Sequence, residues 1–166
     1  MTSLDVRPAD APGCTALPGG LAALLPGRDA LLRRLADVLP FATTQATSLV
    51  LLGLRSADGG PVASDDVDAC ARLLAASVRA DDWFGLAGPA VFAVVLAGTA
   101  DDADSLATRA LATVGSAGHD GLTACAGLVL LSAALTPPEA LRCASAGLTE
   151  ACTVGRERIV AHHRPH

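Results

Sequence analysis

An arginine and an aspartate stand three positions apart, as Arg79 and Asp82, where a predicted helix ends and a short apolar strand begins. A guanidinium presents a planar fork of N–H donors and a carboxylate accepts hydrogen bonds, so the pair suits the mixed donor and acceptor edges of a guanine base. Two alternatives to ligand binding by this pair stay open. The pair closes the turn as a surface ion pair, with the arginine favourable at a helix C-terminus, or it is an inherited motif without a role.

Other residues offer weaker chemistry. Trp83 and Phe84 follow the pair directly, either to stack on a base or to fill the core from a short strand. Arg55 and the Gly59-Gly60 loop can cradle a phosphate without metal or form a solvated loop. The tail, residues 162–166, holds three histidines but no predicted element to fix them, so only adventitious metal binding is expected there.

The elements that position these residues follow from hydrophobic periodicity. Residues 1–20 are rich in proline and glycine and are predicted to be a flexible leader. From there to residue 161 the patterns predict one domain: a helix ended by Pro40, then strands and helices in the order β-α-β-β-α-β-α-β. The first six of these form the βαββαβ unit of ferredoxin-like sheets, so the expected fold class is mixed α/β (α+β), a five-stranded sheet flanked by helices. Helix starts are predicted at Ser64, Thr99 and Thr136.

The composition limits the classes of partner that we expect for this protein. The 166 residues carry a net charge of −5 and no lysine, which gives no general attraction to nucleic acid or to an anionic membrane. No uncharged apolar run approaches the length of a membrane span, and no signal peptide is recognisable, so a cytoplasmic protein is expected. The five cysteines show no C-x-x-C spacing and are predicted to be reduced core thiols: Cys14, Cys70, Cys125, Cys143 and Cys152.

The order of motifs resembles the GGDEF, or diguanylate cyclase, family from about Leu24 to Val160. The signature turn of that family reads Gly-Gly-Asp/Glu-Glu-Phe, and the matching positions here are Gly88, Pro89, Ala90, Val91 and Phe92. Leu25-Pro26-Gly27-Arg28 is similar to its Leu-Pro-Asn-Arg opening, and Thr123–Leu128 to its Thr-x-Ser-x-Gly-Val strand. The closing helix and Gly155–Val160 resemble its Gly-Arg-Asn-x-Val/Ile ending. The resemblance implies a bacterial protein with the cyclase palm fold.

The same resemblance implies that the catalytic groups are missing. The family's metal ligands fall on Gly53, Arg55 and Val91, none of which is a carboxylate, although Mg²⁺ prefers such hard oxygen ligands. The guanine-reading loop is about six residues shorter here. A phosphate-binding lysine falls on Cys152, and its companion aspartate and tyrosine on Ser145 and Thr149. We therefore expect no enzyme activity, no catalytic residue, no metal site and no cofactor.

In the family, an Arg-x-x-Asp pair at this spacing binds cyclic di-GMP, and a further arginine assists it; Arg109 is the nearest candidate by position. The resemblance thus implies a non-catalytic receptor that binds cyclic di-GMP through Arg79 and Asp82 and signals to a protein partner of unknown identity. It also allows a homodimer. The alternative is a ligand-independent interaction or dimerisation module derived from a cyclase.

Overall fold

The computed structural model of the chain describes residues 20–154 and, for the backbone, residues 159–162. Its elements in chain order are α1 (Leu21–Leu24), α2 (Arg28–Val38), a 3₁₀ helix (Leu39–Phe41), β1 (Thr47–Ser56), α3 (Ser64–Ser77), β2 (Trp83–Gly88), β3 (Val91–Ala97), α4 (Ala100–Ser116), β4 (Leu122–Leu130), α5 (Pro137–Val154) and β5 (Ile159–His162). The predicted order of elements is therefore confirmed from β1 onward. The predictions for the leader up to residue 19, for Cys14, for residues 155–158 and for the end of the tail lie outside the described residues. His162, which the sequence placed in the tail, closes β5.

The five strands form one sheet in the order β2-β3-β1-β4-β5. The central strand β1 pairs antiparallel with both β3 and β4, and β2 pairs antiparallel with β3, whereas β4 and β5 are parallel. Residues 47–54 of β1 are all buried, as its continuous apolar run predicts for a strand covered on both faces. The ferredoxin-like prediction is confirmed in both element order and sheet topology.

Each face of the sheet has its own core, because successive side chains of a strand point to opposite faces. Val50, Leu52 and Leu54 pack with α3 and α4, while Leu49 and Leu51 pack with α2 and α5. With so few aromatic residues, both cores consist mainly of Leu, Val and Ala. Phe92, which is fully buried on the α3 and α4 side, is the largest of the fully buried side chains described.

Two of the three predicted helix starts carry a reciprocal cap. The Thr99 hydroxyl accepts from the Asp102 N–H, and the Asp102 carboxylate accepts from the Thr99 N–H at 2.8 Å. Thr136 and Glu139 make the same arrangement at the start of α5. The prediction for Ser64 was wrong by one position: Ala63 is the N-cap, without a side-chain hydrogen bond, because the chain stays extended through it and its carbonyl accepts the first helical bonds.

The β2–β3 hairpin turns through two residues, Pro89 and Ala90, with Gly88 paired to Val91. Ala90 has a φ of 53°, and Pro89 requires a negative φ. A positive φ at the second central position after a proline is the pattern of a type II turn, where glycine is the usual residue. The sequence pattern predicts a turn around Gly88-Pro89 between two short strands, so the turn lies one residue further along than predicted.

None of the described helices is both long enough and apolar enough to cross a membrane.

Candidate functional site

The Arg79–Asp82 segment is a tight turn between α3 and β2. The Asp82 N–H donates to the Arg79 carbonyl at 3.1 Å, and the Arg79 N–H donates back to Oδ2 of Asp82 at 3.3 Å. These reciprocal bonds fix the backbone of the turn and anchor the carboxylate, which is half-buried. The aspartate is therefore held in place by the main chain rather than by the arginine side chain.

The Arg79 side chain is exposed, and within residues 20–154 its guanidinium makes no hydrogen bond or ion pair. The alternative in which Arg79 and Asp82 form a surface ion pair is therefore wrong, since the carboxylate closes the turn through the backbone N–H instead. The charge that Arg79 meets is Asp102, at the start of α4. Hydrogen bonds from Thr99 are the main cause of a lowered pKa at Asp102, and the Arg79 charge adds a smaller effect in the same direction.

Arg109 makes no direct bond with this turn among the described residues. It is exposed on α4, and within the described chain its side chain has no hydrogen bond or ion pair with Arg79 or Asp82. It stands seven residues after Asp102, roughly 10 Å further along the helix axis. Any joint action with the turn requires a ligand long enough to span that distance.

A different arginine lies beside the turn and was missed by sequence reasoning. Arg34 of α2 lines a recess of about 280 Å³ together with Asp81, the residue directly before Asp82 in the motif. The Nε of Arg34 is buried and has no hydrogen-bond partner among the described residues. The sequence carried no signal for this position, because Arg34 follows another arginine on an amphipathic helix and either can face solvent.

The two aromatic residues after the pair belong to the core. The Phe84 ring stacks on that of Phe92, with centroids 5.8 Å apart and planes at 17°. Trp83 packs on the opposite face with the α2 and α5 core, and its ring lies over Gly85, where an added Cβ would come within 2.5 Å of it. The core alternative is therefore confirmed for both, and base stacking is not supported.

At the other end of β2 the structure brings together the three positions on which the family's metal ligands fall. Gly53 is paired with Val91 across β1 and β3, and Arg55 is two residues beyond Gly53 on the same strand. Gly53 is buried against the Leu148 methyl groups, and Arg55 is exposed with its Nη1 donating to the Cys152 carbonyl at 2.9 Å. The described residues contain no group of three or more His, Cys, Asp or Glu side chains arranged to hold a metal ion.

The hairpin itself has a structural role. Phe92 is fully buried, and the Ala90 carbonyl accepts from the Leu54 N–H at 2.9 Å, which ties the turn to β1. Gly88 and Val91 pair across the loop. Of the five signature positions, only Pro89 is exposed.

A cavity of about 750 Å³ opens beside this hairpin. Its walls include the α1–α2 connection with Arg28, the end of β1 with Arg55, the Gly59-Gly60 loop and the hairpin turn. Asp68 also lines it, but one oxygen of this carboxylate accepts from the Ala22 N–H at 2.9 Å. The cavity therefore joins Arg55 and the glycine loop, as the phosphate-cradle alternative requires, and adds Arg28, which that alternative did not include.

The cysteines depart partly from expectation. The four described thiols are free, as predicted. Cys70 and Cys125 are buried, but Cys143 and Cys152 are only half-buried because they lie at the margins of the α5 face.

Comparison with solved structures identifies proteins that share the fold of this chain. The chain superposes on the diguanylate cyclase SiaD of Pseudomonas aeruginosa, solved with its activator SiaC, at a TM-score of 0.73 and 23% identity over 86% of the chain. It also superposes on the active GGEEF domain of a diguanylate cyclase from Vibrio cholerae, at a TM-score of 0.71 and 19% identity over 85% of the chain. The chain has the GGDEF-domain fold. The GGDEF domain of DgcB from Caulobacter crescentus, solved with cyclic di-GMP, matches at 0.71 and 17% identity over 95% of the chain.

The lengths matched differ among these GGDEF proteins. The chain covers 61% of SiaD but 99% of both the Vibrio cholerae and the DgcB domains. No protein-family model matches the sequence, and no curated protein matches it. At these identities the likeness concerns the fold.

Proposed function

We propose that this chain is a non-catalytic GGDEF-like domain that binds cyclic di-GMP through Arg79 and Asp82 and passes that signal to a protein partner. The observation that carries the proposal is the turn itself. Its backbone is closed by reciprocal hydrogen bonds, while the exposed guanidinium of Arg79 makes no hydrogen bond or ion pair among the described residues. A preorganised carboxylate and a free guanidinium lower the ordering cost of binding a guanine base.

The solved neighbours support the class of ligand and partner. DgcB was solved with cyclic di-GMP, and SiaD was solved with an activator protein. The fold of this chain is common to both, and its Arg-x-x-Asp turn precedes the second strand of that fold. We therefore assign cyclic di-GMP as the ligand of the present domain and a protein as its partner.

The absence of catalysis rests on the side chains that meet at the hairpin end. Catalysis of phosphoryl transfer by this fold needs a divalent cation held by oxygen ligands. Gly53 and Val91 supply no donor atom, and the guanidinium of Arg55 repels a cation. The carboxylate of Asp68, on the cavity wall, already accepts from a backbone N–H. We therefore assign the domain to binding rather than turnover.

Calorimetry with cyclic di-GMP tests the receptor role. Arg79→Ala and Asp82→Ala should each weaken binding by about 1–3 kcal/mol, the range for a lost bidentate base contact. The two losses should be less than additive, because both residues serve one ligand. Arg72→Ala is the matched control, since it removes an exposed arginine from α3 and should leave the affinity unchanged. EDTA should have no effect.

Asp82→Asn separates the two roles of the aspartate. The amide oxygen can still accept from the Arg79 N–H, so the turn and the stability of the domain should be retained. The lost charge should nevertheless weaken binding, because a carboxylate is the stronger acceptor for guanine N–H groups. Equal binding by Asp82→Asn and the unchanged protein would show that the aspartate only shapes the turn.

The additional guanidinium is assigned by a paired comparison. Arg34→Ala should weaken binding if the ligand enters the recess beside Asp81, and Arg109→Ala should do so if the ligand lies along α4. No heat and no thermal stabilisation with cyclic di-GMP at tens of micromolar protein would reject the receptor role. The ligand-independent interaction module would then be the better assignment.

A further inference from the structure

Two cysteines that are distant in sequence approach each other between the sheet and α5. Cys125 lies in β4 and Cys152 in the last turns of α5. Ala124 and Ala126, the neighbours of Cys125, pack into the core on the α3 and α4 side. Since side chains alternate along a strand, Cys125 must point to the opposite face, toward α5.

Gly127 explains how closely the helix approaches the strand. A Cβ at this position would lie 2.2 Å from the Leu148 backbone nitrogen and 2.4 Å from the Ala144 carbonyl oxygen. The backbone of α5 therefore rests directly on β4 at this point. Only a glycine permits such contact, and it brings the two layers closer than side chains on both would allow.

From this contact the two cysteines are displaced in the same direction by similar amounts. Cys125 is two residues before Gly127, about 7 Å along an antiparallel strand. Cys152 is four residues after Leu148, about 6 Å along the helix. A short connection turns α5 back along β4, so the chains run in opposite directions and both displacements lead to the same end of the sheet.

The local chemistry agrees with this placement. Burial raises the pKa of Cys125 to about 12, and the neighbouring Cys152 thiol contributes to the rise. The nearby Arg55 charge acts in the opposite sense on that thiol, and its Nη1 donates to the Cys152 carbonyl at 2.9 Å. The half-buried Cys152 is the accessible member of the pair and Cys125 the enclosed one.

We propose that Cys125 and Cys152 form a reversible intramolecular disulfide when the domain meets a hydroperoxide. The Cys152 thiolate attacks the peroxide oxygen, giving a sulfenic acid and releasing hydroxide, or an alkoxide from an organic hydroperoxide. Cys125 then attacks the sulfenic sulfur; the S–S bond forms, the S–O bond breaks and water leaves with the thiol proton. Overall, two thiols are oxidised and one peroxide is reduced.

The cross-link would act on the large cavity through Arg55. This arginine lines the cavity and is hydrogen-bonded to the carbonyl of the cysteine that becomes cross-linked. Joining Cys152 to β4 fixes the last turns of α5, which keeps that acceptor in place. Oxidation thus holds Arg55 at the cavity wall, whereas the reduced domain depends on the hydrogen bond alone.

Peptide mapping by mass spectrometry tests the proposal on the full chain. After treatment with hydrogen peroxide, we expect a cross-linked peptide that contains Cys125 and Cys152, with the loss of two hydrogens reversed by dithiothreitol. The oxidised protein should melt higher by on the order of 5 °C, because the bridge constrains the unfolded chain. Cys143→Ser, on the same helix, is the matched control and should form the cross-link normally.

The two partner variants complete the test. Cys152→Ser should abolish the cross-link and the shift in Tm. Cys125→Ala, which introduces no buried hydroxyl, should leave a sulfenic or sulfinic acid on Cys152 instead. Bridges to Cys14, Cys70 or Cys143, or irreversible oxidation of Cys152 in the unchanged protein without a cross-link, would overturn the proposal.

Discussion

The two ends of strand β2 differ in what they offer to a ligand. Its start follows the Arg79–Asp82 turn, where charged groups are exposed and the backbone is closed by hydrogen bonds. Its end enters the hairpin at Gly88, beside the paired residues Gly53 and Val91, neither of which carries a charged side chain. The strand spans Trp83–Gly88, so the two ends are separated by about 17 Å.

The proposed binding turn and the positions on which the family's catalytic residues fall therefore lie at opposite ends of this strand. At the hairpin end, the signature positions are used for pairing and core packing, so substitutions there should mainly change stability. At the turn, the exposed guanidinium contributes nothing to the core, so its substitution should mainly change binding.

The largest effect is expected from Phe92→Ala. Phe92 is fully buried and stacked on Phe84, so truncation should lower the free energy of unfolding by about 3–5 kcal/mol, measured by urea denaturation. Phe41→Ala is the control, because this ring is 65% exposed and its loss should cost less than about 0.5 kcal/mol. A small effect of Phe92→Ala would mean that the hairpin end of β2 does not contribute mainly to stability.

Restoring carboxylates at the hairpin end should not restore turnover. In the double variant Gly53→Asp with Val91→Glu, the new Cβ at position 53 comes within 3.2 Å of the Leu148 methyl groups. We expect a loss of about 1–3 kcal/mol of stability from overpacking. We expect no cyclic dinucleotide from GTP with Mg²⁺ or Mn²⁺, because the cation of Arg55 remains at this edge and the guanine-reading loop is still short.

Heat-denatured double variant supplies the blank for that assay. Product above this blank from the folded double variant would show that the loop was matched incorrectly to the family. Product from the unchanged protein would reject the non-catalytic assignment altogether.

Most of the fold was predictable because apolar periodicity and capping residues report it locally. The buried run of β1, the cap of Thr99 with Asp102 and the burial of Phe92 all follow from patterns within a few residues. The misplacements at Ser64 and at the hairpin turn have the same origin. In both cases the error is one residue at the boundary of an element. The exact boundary depends on the backbone angles of the neighbouring residue, which the sequence pattern does not specify.

The sites were less predictable because they depend on packing between elements. Arg34 lines the recess beside Asp81 through the placement of α2 on the sheet, and Arg109 stands about 10 Å beyond Asp102 along α4. The approach of Cys125 and Cys152 depends on contact of the α5 backbone with Gly127. None of these distances is encoded by spacing along the chain.

Ala90→Gly should stabilise the hairpin end. Ala90 has a φ of 53°, a left-handed conformation that costs an alanine roughly 1–2 kcal/mol. Glycine removes this cost but loses more chain entropy on folding, so the net gain should be roughly 0.5–1 kcal/mol by urea denaturation. Ala80→Gly, in the turn at the other end of β2, is the matched control and should destabilise by a similar amount, because φ at Ala80 is not positive. Destabilisation by Ala90→Gly would show that the left-handed backbone at Ala90 does not cost the domain stability.

The smallest effect concerns the charge that faces Arg79. Hydrogen bonds from Thr99, and to a lesser degree the Arg79 charge, hold the pKa of Asp102 below its ordinary value. The folded state therefore binds a proton at this carboxylate less readily than the unfolded chain. The resulting stabilisation is complete above the unfolded pKa of about 4 and is lost as the pH falls through the folded pKa.

Urea midpoints of the unchanged protein and of Asp102→Asn should thus differ at pH 7 and converge at low pH. Arg79→Ala should reduce the difference at pH 7 slightly and lower its dependence on salt. A difference that is equal at both pH values would show that Asp102 acts only as a neutral cap and that Arg79 is free of it.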